Sequence, residues 1–260
     1  MARVSVEYQD NIARVTLTRG DKMNALDKAM IEAIVSAGQE VAASDARAVV
    51  LLGEGKSFCA GLDMASFGAL AASGGVEQLL ERTHEDANLF QEVALVWRRV
   101  KVPVIAALQG AAYGGGLQLA LGADIRIAAP DTKVSVMEMK WGLIPDMGGM
   151  VLLPQLMRSD ALRQMTYTAR PVDANQALAW GLVTSISEDP LTAALALAEE
   201  IAGKSPSAIR AAKRLIDLAE SHGRQDVLLA ESAEQAKLIG GAEQVEVIAA
   251  NMQGRAPVFK

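Results

Sequence analysis

The stretch VPVIAALQGAAYGGGLQLALGADIRIA, Val102 to Ala128, joins an apolar run to a second apolar, helix-like run through three consecutive glycines. Glycine at such a junction lets another group approach the backbone closely, and the first N–H groups of a helix have no internal acceptor. A chain built this way folds around a strand, a glycine loop and a helix start. The same device occurs earlier: AVVLLG, Ala48 to Gly53, reads as a buried strand and runs into the loop EGKSFCAGLDM, with Gly55 and Gly61.

From Val102 to Ala123 there is no charge, and the segment is long enough to cross a bilayer. Pro103, Gln109, the glycines and Gln118 would leave polar groups unpaired in lipid, so a buried strand, loop and helix is the expectation and no membrane partner is expected. With 260 residues and 51% hydrophobic content the chain can bury a large core. The net charge of -6, the lack of a basic run and only 4% aromatics argue against nucleic acid. A single cysteine, Cys59, excludes a disulfide within the chain and points to a reducing, cytoplasmic setting. The opening MARVSVEYQD has no apolar run of the signal-peptide kind.

Around these two devices the pattern is α/β. Val4, Val6 and Tyr8, then Ala13, Val15 and Leu17, alternate about an Asp10-Asn11 turn and predict a hairpin. Leu26, Met30, Ile34, Ala37 and Val41 predict an amphipathic helix. After a small-residue loop around Gly74-Gly75, positions 80, 83, 87, 90, 94 and 97 predict one long helix. DIRIAAP and TKVSVME supply further short strands, which makes a repeated β-β-α organisation the expectation. Past Asp189 the signals are helical: Asp189-Pro190 and Ser205-Pro206 as starts, Gly203 and Gly223 as stops. The expected division is residues 1–189 as core and 190–260 as a helical region whose apolar stripes need a partner surface.

Few residues can do chemistry. His84, on the predicted long helix, and His222, beside Gly223, are the only histidines, and no GxSxG elbow is present. Cys59, in a tight apolar loop without a neighbouring histidine, reads as a packing residue. The triple glycine lacks GxGxxG spacing and is no dinucleotide fingerprint. What remains is a pair of glycine loops able to aim backbone N–H groups at a developing oxyanion.

KSFCAGLDM, then KVPVIAALQGAAYGGGLQLALGADIRIA, then MEMKWGLIPDMGG, in this order, resemble the enoyl-CoA hydratase/isomerase (crotonase) family, as do NALD, ARPVDANQALAWGLV and the closing GRAPVF. The resemblance implies an α/β crotonase-like spiral of repeated β-β-α units with a C-terminal helical appendage, assembled as a trimer or a dimer of trimers. It implies an acyl-CoA thioester substrate, no metal and no separate cofactor. The implied oxyanion hole is the backbone N–H groups of Leu62 and Gly115; CoA contacts fall on Lys22, Ala25, Ala60, Leu62 and Arg255. The C-terminal basic cluster is thin, only Arg255 and Lys260.

Acid/base positions decide the reaction. The family's hydratases carry two glutamates where this chain has Gln118 and Glu138, and a neutral amide cannot cycle a proton. Asp146, eight residues after Glu138, matches an acid of some double-bond isomerases of the family. Isomerisation by Glu138 or Asp146 is therefore the expectation. The alternatives are hydration, with Glu138 and a water held by Gln118, and a non-catalytic acyl-CoA-binding or RNA-binding relative. A bland reading pairs Glu138 with Lys140 and gives Asp146 a turn role after Pro145. Asp63 is expected to anchor the first loop, and Trp141, Met137 and Met147, with Met139 and Met150, to line or underlie an acyl pocket.

Overall fold

A computed structural model describes residues 2–63, 65 and 75–259. The hairpin forms as read: β1 (Val4–Gln9) pairs antiparallel with β2 (Ile12–Leu17) across Asp10 and Asn11, both at positive φ. Such a turn matches the twist of the strands it joins. The strand β3 (Ala48–Gly53) lies parallel to β2, and β4 (Val104–Leu108) lies parallel to β3. With β6 (Ile125–Ala128) and β9 (Ser185–Ile186) they complete a six-stranded sheet of order β1-β2-β3-β4-β6-β9. A second sheet holds β5 (Ala111–Tyr113), β7 (Lys133–Ser135) and β8 (Val172–Asp173).

Each turn of the chain gives one strand to the large sheet and the next short strand to the small one. Thus β4 leads to β5, β6 leads to β7, and β3 leads to Cys59, which bridges Ala112 of β5. This is the expected β-β-α spiral. The strand β5 itself, within the glycine-rich stretch, has too few residues to stand out in the sequence.

Both faces of the large sheet are covered, which explains the continuous apolar run of β3. Val15, Val49, Leu51, Val104 and Ala106 face one cluster, shared with α1 (Lys28–Ala42); Ala48, Val50, Leu52, Ile105 and Ile127 face the other. That other face is closed by Ala194, Ala198 and Ala202, all on the helix Pro190–Ala202. The first helix of the expected appendage is therefore a layer of the core. Small side chains let it lie close to the strands.

The single long helix predicted across positions 80 to 97 is two helices, α2 (Gly75–Leu80) and α3 (Leu89–Arg99). Between them His84 and Ala87 pair through mutual backbone hydrogen bonds, with Glu85 at φ +56°, so His84 sits in a turn. Asn88 explains the break. Its side chain accepts from Gln91 N at 2.8 Å while the Gln91 side chain accepts from Asn88 N at 3.0 Å, and its Nδ2 donates to Leu79 O at 2.8 Å. A capping box that also ties down the preceding helix outweighs the continuing apolar period. The loop expected around Gly74-Gly75 lies, as far as Gly74, outside the described residues.

The remaining helices are α4 (Gly115–Leu121), α5 (Gly149–Leu156), α6 (Ser159–Thr168), α7 (Ala174–Ala179), α8 (Pro190–Ala202), α9 (Pro206–Ala219), α10 (Arg224–Leu238) and α11 (Ala242–Gln253). Asp189 and Ser205 cap α8 and α9, each followed by proline, as read. Gly223, expected as a stop, is instead the N-cap of α10; α9 already ends at Ala219, with Ser221 and His222 in the link. Among the described residues no helix is long and apolar enough to cross a membrane.

Asn88→Ala removes a buried cap whose side chain makes two hydrogen bonds, to Gln91 N and Leu79 O, and should cost about 1–2 kcal/mol. Chemical denaturation should show a lower midpoint with unchanged slope.

Candidate active site

The first glycine loop is held from two sides. Asn24, fully buried at φ +54°, donates from Nδ2 to Glu54 O at 3.0 Å and Ser57 O at 2.9 Å, and its Oδ1 accepts from Arg19 N at 2.9 Å. Cys59 N donates to Ala111 O and Tyr113 N donates to Cys59 O, both at 3.0 Å, zipping the loop to β5. The Cys59 thiol donates to Asn24 O at 3.1 Å, and burial pushes it up to about 12, so it stays protonated and is no nucleophile.

Leu62 follows from that zipper. Leu26 N donates to Gly61 O at 2.8 Å and Asp63 N donates to Leu26 O at 3.0 Å, a parallel bridge that turns the N–H of Leu62 to the opposite side. Gly61, at φ +90°, could not carry a side chain: a Cβ there would lie 2.6 Å from Tyr113 O and 3.6 Å from Gly115 N. The loop with Leu62 and the start of α4 with Gly115 are thus direct neighbours. Arg19 braces the loop, its Nη1 lying 2.7 Å from Asp63 Oδ2, and that hydrogen bond holds the Asp63 carboxyl below its usual range. Asp63 anchors the loop as expected.

The three glycines have three separate reasons. Gly114, at φ +51°, donates to Ser135 O at 2.9 Å and makes room for Glu138, whose Oε1 would be 3.2 Å from an added Cβ. Gly115 is the first residue of α4, where the N–H has no acceptor within the helix; a Cβ would meet the Met147 sulfur at 2.6 Å. Gly116 lies against Cys59 O, where a Cβ would come within 2.2 Å. Two polypeptide backbones meet here without side chains between them.

Glu138 opens a 3-10 turn, Glu138–Trp141, beside Gly114. Its Oε1 accepts from Gln118 Nε2 at 2.6 Å; its Oε2 is buried with no hydrogen-bond partner. Burial, with the charge of Asp146 adding to it, raises the Glu138 carboxyl above its usual value against the opposing N–H donors. The Asp146 carboxyl is raised too, by its own burial. The bland pairing of Glu138 with Lys140 is overturned: Lys140 is exposed, with its Nζ 5.4 Å from the centre of the Trp141 ring. Gln118 Oε1 accepts from Met147 N at 2.8 Å and Gly149 N at 2.9 Å, so both its lone pairs are filled and it is not free to accept from a water.

Of the residues expected at the acyl pocket, Met147 is buried against Gly115 and Leu26, and Met137 is half-buried near Gly114. Trp141, 48% exposed, is a rim residue, and Met139 and Met150 are exposed as well. The turn that Gly142 ends at φ +71° leaves Trp141 outside. Lys22, Ala25 and Ala60 form one strip beside Leu62: Ala25 N donates to Lys22 O at 3.1 Å and Ala60 N to Met23 O at 2.9 Å.

Arg255 does not join that strip. It pairs with Glu246 at 2.5 Å, and the tail beyond it docks at the opposite end of β3, where Arg47 Nη2 donates to Phe259 O at 3.1 Å. Lys260 lies outside the described residues. Sequence reasoning missed Asn24, Arg19 and Gly149 as supports of the site; the polar Asn24 directly before the apolar pair Ala25-Leu26 was the available signal. Among the described residues no three His, Cys, Asp or Glu side chains gather as a metal site.

Raised carboxyls make a test of stability. A carboxyl whose folded value lies above its unfolded value binds more protons when folded, so stability falls as pH rises through the two values, with no penalty below the unfolded value and the full penalty above the folded one. Glu138→Gln removes that penalty and keeps an acceptor for Gln118. Urea denaturation should find the variant more stable than the parent at pH 7, with the difference shrinking as pH is lowered through the carboxylate range.

The comparisons with known proteins agree with this geometry. The family model for Enoyl-CoA hydratase/isomerase matches residues 7–260. The human mitochondrial Delta(3,5)-Delta(2,4)-dienoyl-CoA isomerase is 36% identical over 213 residues, 79% of this chain; the match spans 65% of the human protein, just under two thirds. The rat protein of the same name is 33% identical, covering 85% of this chain and 70% of its own length. Among solved structures, an enoyl-CoA hydratase from Bacillus anthracis superposes with TM-score 0.88 at 28% identity, covering 99% of both chains. One from Thermoplasma volcanium gives TM-score 0.86 at 26% identity over 96% of this chain and 97% of its own. With the fold and nearly the whole length in agreement, the chain belongs to the enoyl-CoA hydratase/isomerase family and is an enzyme of that type.

Proposed function

We propose that this enzyme moves the double bond of an enoyl-CoA thioester by proton transfer. The thioester carbonyl oxygen accepts from the N–H groups of Leu62 and Gly115, with the CoA moiety along Lys22, Ala25 and Ala60. A carboxylate, Glu138 or Asp146, takes a proton from the carbon next to the carbonyl. The C–H electron pair becomes a dienolate, its charge on the oxygen between the two donors. The far carbon then takes a proton from a carboxylic acid, the pair of electrons returns to carbon, and the double bond ends in conjugation. Each fixed donor of this kind typically contributes about 3 kcal/mol.

One observation carries the reading: two carboxyls, Glu138 and Asp146, are both raised by burial and lie close enough for one charge to act on the other, beside a pair of backbone donors. A carboxyl raised above its ordinary value holds a proton more readily, so it can give one as well as take one. The dienoyl-CoA isomerase name of the human and rat relatives supports the choice of reaction. Hydration is the second reading, favoured by the hydratase names among the similar structures and by the free Oε2 of Glu138. Its weakness is that Gln118, the expected water holder, has its acceptor oxygen filled.

With 3-enoyl- and 3,5-dienoyl-CoA substrates, ultraviolet absorbance should rise as the conjugated thioester forms, while 2-enoyl-CoA is hydrated slowly. Glu138→Gln and Asp146→Asn should each lower the isomerisation rate by about 10² to 10⁴. Efficient hydration with no isomerisation of either substrate would promote the second reading.

We also propose self-association as a trimer or a dimer of trimers. The helix α10 buries no residue, and Leu228, Leu229, Ile239, Val245, Ile248 and Met252 of the C-terminal region are exposed, an apolar surface a lone chain leaves in water. Sedimentation should find three or six chains per particle; a stable folded monomer at micromolar concentration would refute it.

A further inference from the structure

We infer that Gln118 is the positioning residue of the proton-transfer step: its amide joins Glu138 and the turn after Asp146 into one unit and leaves a single Glu138 oxygen facing the substrate. This rests on the isomerase reading for the step it serves, and on geometry for the unit itself. Gln118 is buried and has no charge to contribute, so its part is played through the groups it binds. Its Nε2 holds Oε1 of Glu138 at 2.6 Å. Its Oε1 holds Met147 N, the amide directly after Asp146, and Gly149 N beyond the turn at Gly148, which has φ +88°.

The spacing of the sequence serves this arrangement. Gln118 stands three residues after Gly115, on the same helical turn, so the proposed oxyanion donor and the holder of both acid-bearing segments move as one body. Gly149 is required by the amide: a Cβ there would sit 2.7 Å from Gln118 Oε1. With Oε1 of Glu138 fixed, the unpaired, buried Oε2 is the one oxygen free to meet a C–H bond. A carboxylate held by one oxygen has one productive orientation, and a displacement of about 1 Å at such a step can cost about 10²-fold in rate.

The charged surroundings of Glu138 are simple. Asp146 is the charge that acts on it; Lys140 on its own turn is exposed. From α6, which packs against that turn, Asp160 and Arg163 are exposed, and from β5 the half-buried phenol of Tyr113 is uncharged, its titration raised further by burial. The N–H of Gln118 stabilises the charged form of Glu138 and opposes its burial. Loss of that donor moves the Glu138 titration to higher pH.

Two variants test this. Gln118→Met keeps the shape and deletes all three hydrogen bonds. Gln118→Glu, when protonated, can accept from Met147 N and Gly149 N and donate to Glu138 as the amide does; when ionised, it sets a second negative charge against Oε1. For a 3-enoyl-CoA substrate, Gln118→Met should lower kcat by about 10- to 100-fold at pH above both Glu138 titrations, with KM within about threefold of the parent, and by more at lower pH. Gln118→Glu should approach the parent in acid and lose activity as pH rises. Glutamate carbon NMR, with the Glu138 signal assigned by its loss in Glu138→Gln, should show the Glu138 titration moved upward in Gln118→Met. A parent-like kcat and an unmoved titration in Gln118→Met, or a parent-like pH profile in Gln118→Glu, would overturn the inference. If Gln118→Met does not fold, the Gln118→Glu profile decides. The titration does not depend on which thioester reacts, so failure of the isomerase reading leaves that shift intact, whereas failure of this inference leaves Glu138 unmoved.

Discussion

Everything at the site depends on two backbones touching. Gly116 lies so close to Cys59 O, and Gly61 to Tyr113 O, that neither could carry a methyl group without moving the segment opposite. The contact is locked by the Cys59 and Tyr113 hydrogen bonds to the neighbouring strand. Because the two loops end parallel strands of one sheet, β3 and β4, their spacing is set by the ladder beneath them. A site made of main-chain N–H groups is as rigid as that ladder, and it needs no charged side chain to bind an oxyanion. Charge enters only where protons must move.

That entry is costly. Burial raises Glu138 and Asp146 together, and the charge of Asp146 makes Glu138 harder still to ionise. A third acid at position 118 would face Glu138 Oε1 at 2.6 Å, close enough to force a shared proton. The amide there avoids this. It keeps the hydrogen-bond pattern that organises the two acid-bearing segments while leaving the number of buried charges at two. The same cost appears as stability lost when these carboxyls ionise, a familiar trade between a site's chemistry and the fold that houses it.

Much of this was legible from residues alone. The Asp10-Asn11 turn, the two glycine loops and the proline-bearing starts at Asp189 and Ser205 stand where the sequence puts them, since each is a local rule with a local cause. The break between α2 and α3 was not legible, because Leu80, Thr83, Ala87 and Phe90 keep a helical period through a turn that Asn88 ends. Nor was the role of α8: alanines on its buried face look like the interior of any helix until a sheet lies beneath them. Arg255 is engaged by Glu246 of its own helical region. Its neighbours in sequence are matched, yet within this chain its tail docks on Arg47, away from Lys22.

The hardest part to read from sequence was what Gln118 does, and the reason is general. Residue type says that an amide can donate and accept; it does not say which of its bonds are already taken. Here the acceptor oxygen is filled by Met147 N and Gly149 N, and one donor by Glu138, before any substrate arrives. A position that holds an acid in a related enzyme can therefore keep its place in the hydrogen-bond network while leaving the acid/base chemistry. On the proposed isomerisation, the reaction is decided by the N–H groups of Leu62 and Gly115 and by Oε2 of Glu138, a side-chain atom left without a partner, with Asp146 near enough for its charge to act on it. Donors for an oxygen and carboxyls for a carbon-bound proton are what an enolate needs, and a water molecule finds no acceptor in the Gln118 amide.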